Sequence, residues 1–157
     1  KMCSGLGFML LLFCTILMTD VGGYVFGSKF GKRPLAPVVS PKKTIEGSIG
    51  GSVLAIIAAM LIGYAIHIEW YQSLIAGLLI TTFAQLGDLA ESLIKRDAGV
   101  KDSGNSLPGH GGFLDRADSY LFSTPVAYFY FNYFVVSDQL TMDFLSFARK
   151  ALDAVGL

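Results

Sequence analysis

Hydrophobic residues are not spread evenly along this chain. They gather in four runs, residues 2–19, 47–68, 70–87 and 119–137, none of which contains Asp, Glu, Lys or Arg. Each run is 18 to 22 residues long. A helix that crosses a bilayer needs about 20 mostly apolar residues. Lipid offers backbone groups no hydrogen-bond partner, so each run is expected to be helical. Adding helical flanks gives spans of about 2–19, 47–68, 70–94 and 118–137. Polar loops are expected at 20–46 and 95–117. The expected fold class is an all-α integral membrane protein, a bundle of about four to five transmembrane helices with two cytoplasmic polar loops and a single membrane domain.

Composition agrees. Of the 157 residues, 53% are hydrophobic and 15% charged, and mean hydropathy is +0.57. Soluble domains carry about 25% charged residues. No small-residue cleavage site follows the first run, so it reads as a span and not a signal peptide. The chain opens almost inside hydrophobic sequence, which suggests a piece of a longer protein. Cys3 and Cys14 share the first run and read as apolar packing residues. The tail 138–157 has apolar residues at helical spacing with Arg149 and Lys150 beside them, as expected of a helix lying on the membrane or the bundle.

Net charge is zero, but its placement is informative. Nine of the twelve basic residues fall in the two long loops: Lys29, Lys32, Arg33, Lys42, Lys43, Lys95, Arg96, Lys101 and Arg116. The positive-inside rule makes that side cytoplasmic. Trp70 and Tyr71 then suit the opposite interface.

Acidic residues cluster on the basic side. Asp88 and Glu91 follow the third run, Asp20 ends the first, and Asp115 and Asp118 precede the fourth. A carboxylate at membrane depth is costly unless paired or metal-bound. Asp88, Glu91, Ser92 and Lys95 are spaced to share one helix face. Solvated charge at an interfacial helix end would explain that segment alone. Carboxylates converging at one depth from several helices would repel unless a cation lay between them. Hard oxygen ligands of this kind suit Mg²⁺, which readily shares phosphates. The neighbouring Lys and Arg residues suit phosphate oxygens. In 107–112, Leu-Pro-Gly-His-Gly-Gly, glycines permit close approach of an anion to backbone N–H groups. His110 offers a donor or an acid–base group, although such a stretch also reads as a flexible turn. Residues 27–33 resemble a P-loop only loosely, being one residue short and lacking the Ser/Thr after Lys32. Ser40 to Glu46 has the form of a helix cap for the second span. Lys42 and Lys43 exceed what a cap needs.

The segments Ser92–Leu93–Ile94–Lys95–Arg96, Lys101–Asp102, Leu107 to Gly112 and Asp115–Arg116–Ala117–Asp118 together resemble the signature of the phosphatidate cytidylyltransferase (CDP-diacylglycerol synthase) family. "SPKKTIEG" and Asp20–Val21–Gly22–Gly23–Tyr24 are similar to further segments of it. The resemblance runs from about Phe13 to Val136, and it is to the carboxy-terminal, catalytic half. Ala117 stands where a larger apolar residue is common, and Val21 where a small hydroxyl residue is. The resemblance implies transfer of CMP from CTP to phosphatidic acid, with Mg²⁺ and one further cation as candidate cofactors. It implies metal-site carboxylates at Asp88, Asp115 and Asp118, a catalytic Lys95, and substrate contacts from Arg96, Lys101, His110, Gly111, Gly112 and Arg116. Lys42, Lys43 and Thr44 are expected to serve the lipid phosphate or CTP. Expected partners are CTP, phosphatidic acid, membrane lipids and a second copy of the chain, with no nucleic acid. The expected location is the bacterial inner membrane. The alternatives are a cytidylyltransferase for another lipid phosphate and, outside enzymes, an ion-coupled transporter.

Overall fold

The structure is a computed structural model that describes residues 5–37, 39–99 and 114–137, with the backbone alone over 114–117. Its main elements are helices α1 (Gly5–Phe30), α2 (Ile45–Ala65), α3 (Trp70–Asp97) and α4 (Leu114–Tyr130). A hairpin of β1 (Pro34–Ala36) and β2 (Ser40–Thr44) joins α1 to α2. The first three helices are each long and apolar enough to cross a membrane.

Helix α1 runs well beyond Thr19, so residues 20–30, expected in a loop, are helical. Hydropathy marks the part of a helix that suits lipid, whereas the helix itself continues until the backbone is interrupted. No proline occurs before Pro34. The rest of the expected loop is largely the antiparallel hairpin, with Pro34 opposite Thr44 and Ala36 opposite Ser40. The cap of α2 is Thr44, not Ser40, which lies in β2. Thr44 Oγ1 accepts from Gly47 N at 3.2 Å. Glu46 Oε2 accepts from Lys32 N at 3.1 Å and Arg33 N at 3.2 Å, tying the root of the hairpin to the helix. Helix α3 extends to Asp97. The connection from α2 is tight, with His67 in the left-handed region at φ 61°. Helix α4 contains Pro125 and continues as a π-helix, Phe131–Val136. The tail 138–157 lies outside the described residues.

Apolar attraction between helices is weak in lipid, so close backbone approach has to hold them together. A Cβ at Gly51 on α2 would stand 2.6 Å from Thr19 O and 2.8 Å from Gly23 N, so only glycine lets α1 come this near. The buried core includes Leu11, Ile16, Ala59, Ile80, Ala84, Phe131 and Val135, and Phe8 stacks on Phe131 with centroids 4.7 Å apart.

Candidate functional site

The charged groups meet where α1 ends, α2 begins, α3 ends and α4 begins. Lys43 Nζ, from β2, pairs with Asp88 Oδ2, from α3. Asp88 and Lys43 both lie within electrostatic reach of Asp20 on α1 and of Asp118 on α4. Asp118 Oδ1 accepts from Ser119 N at 2.6 Å, which orients its carboxylate. A Cβ at Gly87 would meet Asp118 O at 2.9 Å, so α4 touches α3 one residue before Asp88. Three carboxylates from three helices are thus drawn together around one lysine.

Asp20, Asp88, Lys42 and Lys43 line a cavity of about 330 Å³, along with Thr19, Ser48 and Gln85. An adjoining cavity of about 210 Å³ is lined by Ser40, Lys42, Ser92, Lys95 and Arg96. Ser40 and Lys42 border both, so strand β2 is the wall between them. The first cavity mixes carboxylates and ammonium groups. The second presents three cations and no carboxylate. Arg96 Nε also makes a long 3.4 Å contact with Val39 O, fastening the hairpin tip to α3. A wider hollow of about 510 Å³ lies at the opposite end of the bundle, beside Tyr71, Tyr130 and Tyr133. It holds none of the expected site residues.

Lys95 Nζ lies 2.6 Å from Glu91 Oε2. Glu91 is only 7% exposed, and its Oε1 has no hydrogen-bond partner among the described residues. The expected common face of Asp88, Glu91, Ser92 and Lys95 therefore divides, with Asp88 turned to Lys43 and Ser92 and Lys95 to the second cavity. Thr44 borders the first cavity while capping α2.

Asp115 and Arg116 sit in the first turn of α4, but their side chains lie outside the described residues. Lys101, His110, Gly111 and Gly112 lie outside them entirely. Among the described residues, no group of three or more His, Cys, Asp or Glu side chains is arranged to hold a metal ion. Sequence reasoning placed Asp20 near the site but did not assign it, and it passed over Thr19, Ser48 and Gln85. The available signal was Gln85, an amide inside an uncharged run, since strongly polar residues in a span tend to be functional.

Fold and site together define a multi-pass membrane protein whose acidic and basic groups are gathered at one end of a helix bundle. The chain belongs to the Cytidylyltransferase family, whose profile matches residues 1–134. It is 47% identical over 125 residues to phosphatidate cytidylyltransferases of Staphylococcus saprophyticus, Staphylococcus haemolyticus and Staphylococcus aureus. The alignments cover 78% of this chain and 48% of each relative, so the chain spans about half the length of the curated relatives it matches. Among solved structures, an intramembrane enzyme for archaeal membrane lipid biosynthesis is similar with a TM-score of 0.59 and 25% identity. The match covers 76% of this chain and 75% of that one.

Proposed function

We propose that this chain carries the catalytic site of a phosphatidate cytidylyltransferase in a bacterial cytoplasmic membrane, with the site at the cytosolic face. The reaction takes CTP and phosphatidic acid to CDP-diacylglycerol and pyrophosphate. One observation carries the reading: the Lys43–Asp88 pair lies in a cavity at the bundle end with Asp20 and Asp118 in electrostatic reach, beside a purely cationic cavity. That arrangement suits two phosphate-bearing reactants, one held in the membrane and one arriving from water.

The donor set fits a divalent cation. Asp20, Asp88, Glu91 and Asp118 bring four negative charges against Lys43 and Lys95, and Glu91 Oε1 is buried without a partner among the described residues. Asp88 and Asp118, with Asp115, are the residues that would hold Mg²⁺. When bound there, the metal would neutralise phosphate charge and stabilise the departing pyrophosphate.

The chain's own residues do the rest. Both reactants are anions, so positioning and charge stabilisation dominate catalysis. Lys42 and Lys43, on the strand between the cavities, hold the phosphates that react. Lys95 and Arg96 take phosphate oxygens in the cationic cavity. An oxygen of the lipid phosphate forms the new bond to the α-phosphorus of CTP. The bond from that phosphorus to the bridging oxygen breaks, and its electron pair leaves with pyrophosphate. No side-chain nucleophile is required, because the lipid phosphate already carries negative oxygens.

The test is an assay of the full-length protein in mixed micelles with labelled CTP and phosphatidic acid, with and without Mg²⁺. CDP-lipid should form only when all three are present, and Asp118→Asn should abolish it while the protein stays monodisperse. A protein that leaves CTP intact under these conditions is not this enzyme. Replacing phosphatidic acid with ether-linked or polyprenyl phosphates tests the second reading, a cytidylyltransferase for another lipid phosphate. The likeness to an enzyme of archaeal lipid synthesis supports including those substrates.

A further inference from the structure

The inner wall of the 330 Å³ cavity, the part formed by Thr19, Ser48 and Gln85 beside Asp20 and Asp88, has no side-chain hydrogen-bond donor left to give among the described residues. Gln85 Nε2 donates to Ser48 O at 3.2 Å and to Ser52 Oγ at 3.0 Å. A backbone carbonyl can only accept, so the first contact settles which end of the amide is nitrogen. Gln85 Oε1 accepts the one hydroxyl proton of Ser48. Ser52 Oγ returns its own proton to Ser48 O at 2.9 Å. On α1, Thr19 Oγ1 donates to Thr15 O at 2.9 Å, so in its 2.9 Å contact with Thr81 Oγ1 the threonine on α3 is the donor. Thr19, Ser48 and Gln85 line the cavity beside Asp20 and Asp88. Five groups from three helices therefore turn only oxygen lone pairs toward it.

Donors come from the rest of the lining, where α1 supplies the Tyr24 hydroxyl and β2 supplies Lys42 and Lys43. The inner wall would repel phosphate oxygens. It suits a ligand that is cationic and has O–H bonds on its surface, and a hydrated divalent cation meets both conditions. Mg²⁺ gives up its water reluctantly and keeps several molecules when bound by one or two carboxylates. Those waters donate outward to whatever oxygen faces them. Gln85 stands three residues before Asp88 in α3, so both occupy the same face of that helix.

The geometry points to Gln85, Ser48 and Thr19 as positioning residues that accept hydrogen bonds from the water shell of a divalent cation held by Asp88. This inference rests on the metal-dependent function proposed above. The wall orients the cation through its waters, with no direct bond from the amide or hydroxyls to the metal. Partners of this kind change metal affinity by about 10- to 100-fold when removed. Gln85 also ties α3 to α2, so the test has to separate the two roles.

Mn²⁺ affinity is measured by electron paramagnetic resonance on the full-length protein in detergent without substrates. Gln85→Met keeps the side chain's length and removes its acceptor, and should weaken Mn²⁺ binding by about tenfold. Gln85→Glu keeps an acceptor and gives up the two amide donors that make the tie to α2, and should bind Mn²⁺ at least as tightly as the parent. Thr19→Val removes an acceptor from α1 without touching the Gln85 network, and should weaken binding in the same direction. Parental affinity in both Gln85→Met and Thr19→Val overturns the inference. So does equal loss in Gln85→Met and Gln85→Glu, which would make Gln85 a helix tie alone. Asp88→Asn separates the layers. If it leaves Mn²⁺ binding intact, the metal part of the proposed function fails as well. If it removes binding while the wall variants do not, only the present inference fails. None of these readouts requires CTP turnover.

Discussion

Gly87 and Asp118 are in backbone contact: a Cβ on the glycine would stand 2.9 Å from the aspartate's carbonyl oxygen and 3.0 Å from Phe122 Cδ2. That contact brings α4 against α3 at the level of Asp88 and delivers Asp118 to the site. Gly87→Ala should force the two helices apart. Overpacking of this kind costs about 1–3 kcal/mol, read as a lower unfolding midpoint in detergent, and turnover should fall with it. Gly5→Ala, where an added Cβ meets nothing within 4 Å, should leave both unchanged.

Lys43 and Asp88 are each about a third exposed, so their pairing contributes modestly to stability and chiefly to the electrostatic field in the cavity. Lys43→Met and Asp88→Asn should each lower CDP-lipid formation by about 100-fold or more, the range expected when one preorganised electrostatic group is lost. Thermal unfolding should change little. Exchanging the charges, Lys43→Asp with Asp88→Lys, should preserve folding without restoring turnover.

Arg96 is exposed and touches the protein through the hairpin carbonyl of Val39. Its substitution should alter stability by no more than about 0.5 kcal/mol. If the cationic cavity holds the nucleotide's phosphates, Arg96→Gln should raise the KM for CTP about tenfold, equivalent to about 1.4 kcal/mol. The KM for phosphatidic acid should stay near its parental value. Steady-state kinetics with each substrate varied in turn would check this.

Removing divalent metal with a chelator should abolish turnover, and Mg²⁺ or Mn²⁺ should restore it. An ion that binds the folded state alone raises stability by mass action, by about 2.7 kcal/mol at 100 times its dissociation constant. The unfolding midpoint of the parent should therefore rise with Mg²⁺, and that of Asp88→Asn should not. An equal rise in both would place the ion elsewhere.

Much of this protein is set by forces that act along the chain. Four uncharged runs, each about the length a span needs, mark four helices, the first three of them long and apolar enough to cross a membrane. The lysines and arginines between them gather the polar groups on one side. Thr44 and Glu46 were recognisable as part of a helix start, because capping involves residues only a few positions apart. Hydropathy could not show where α1 stops, since it measures fit to lipid and not continuity of the helix.

Tertiary structure decided which polar groups meet. Lys43 and Asp88 are 45 residues apart, and nothing local to either selects the other. Their pairing depends on the closeness of α2 to α3, which Gly63 and Gly77 at the crossing permit. In lipid, helices are held by backbone approach and hydrogen bonds more than by hydrophobic exclusion. A glycine or a glutamine inside an apolar run therefore has its meaning assigned by the helix it faces. Gln85 reads in sequence as one polar residue in a span. Only the seam with Ser48 and Ser52 turns it into a wall of acceptors beside Asp88.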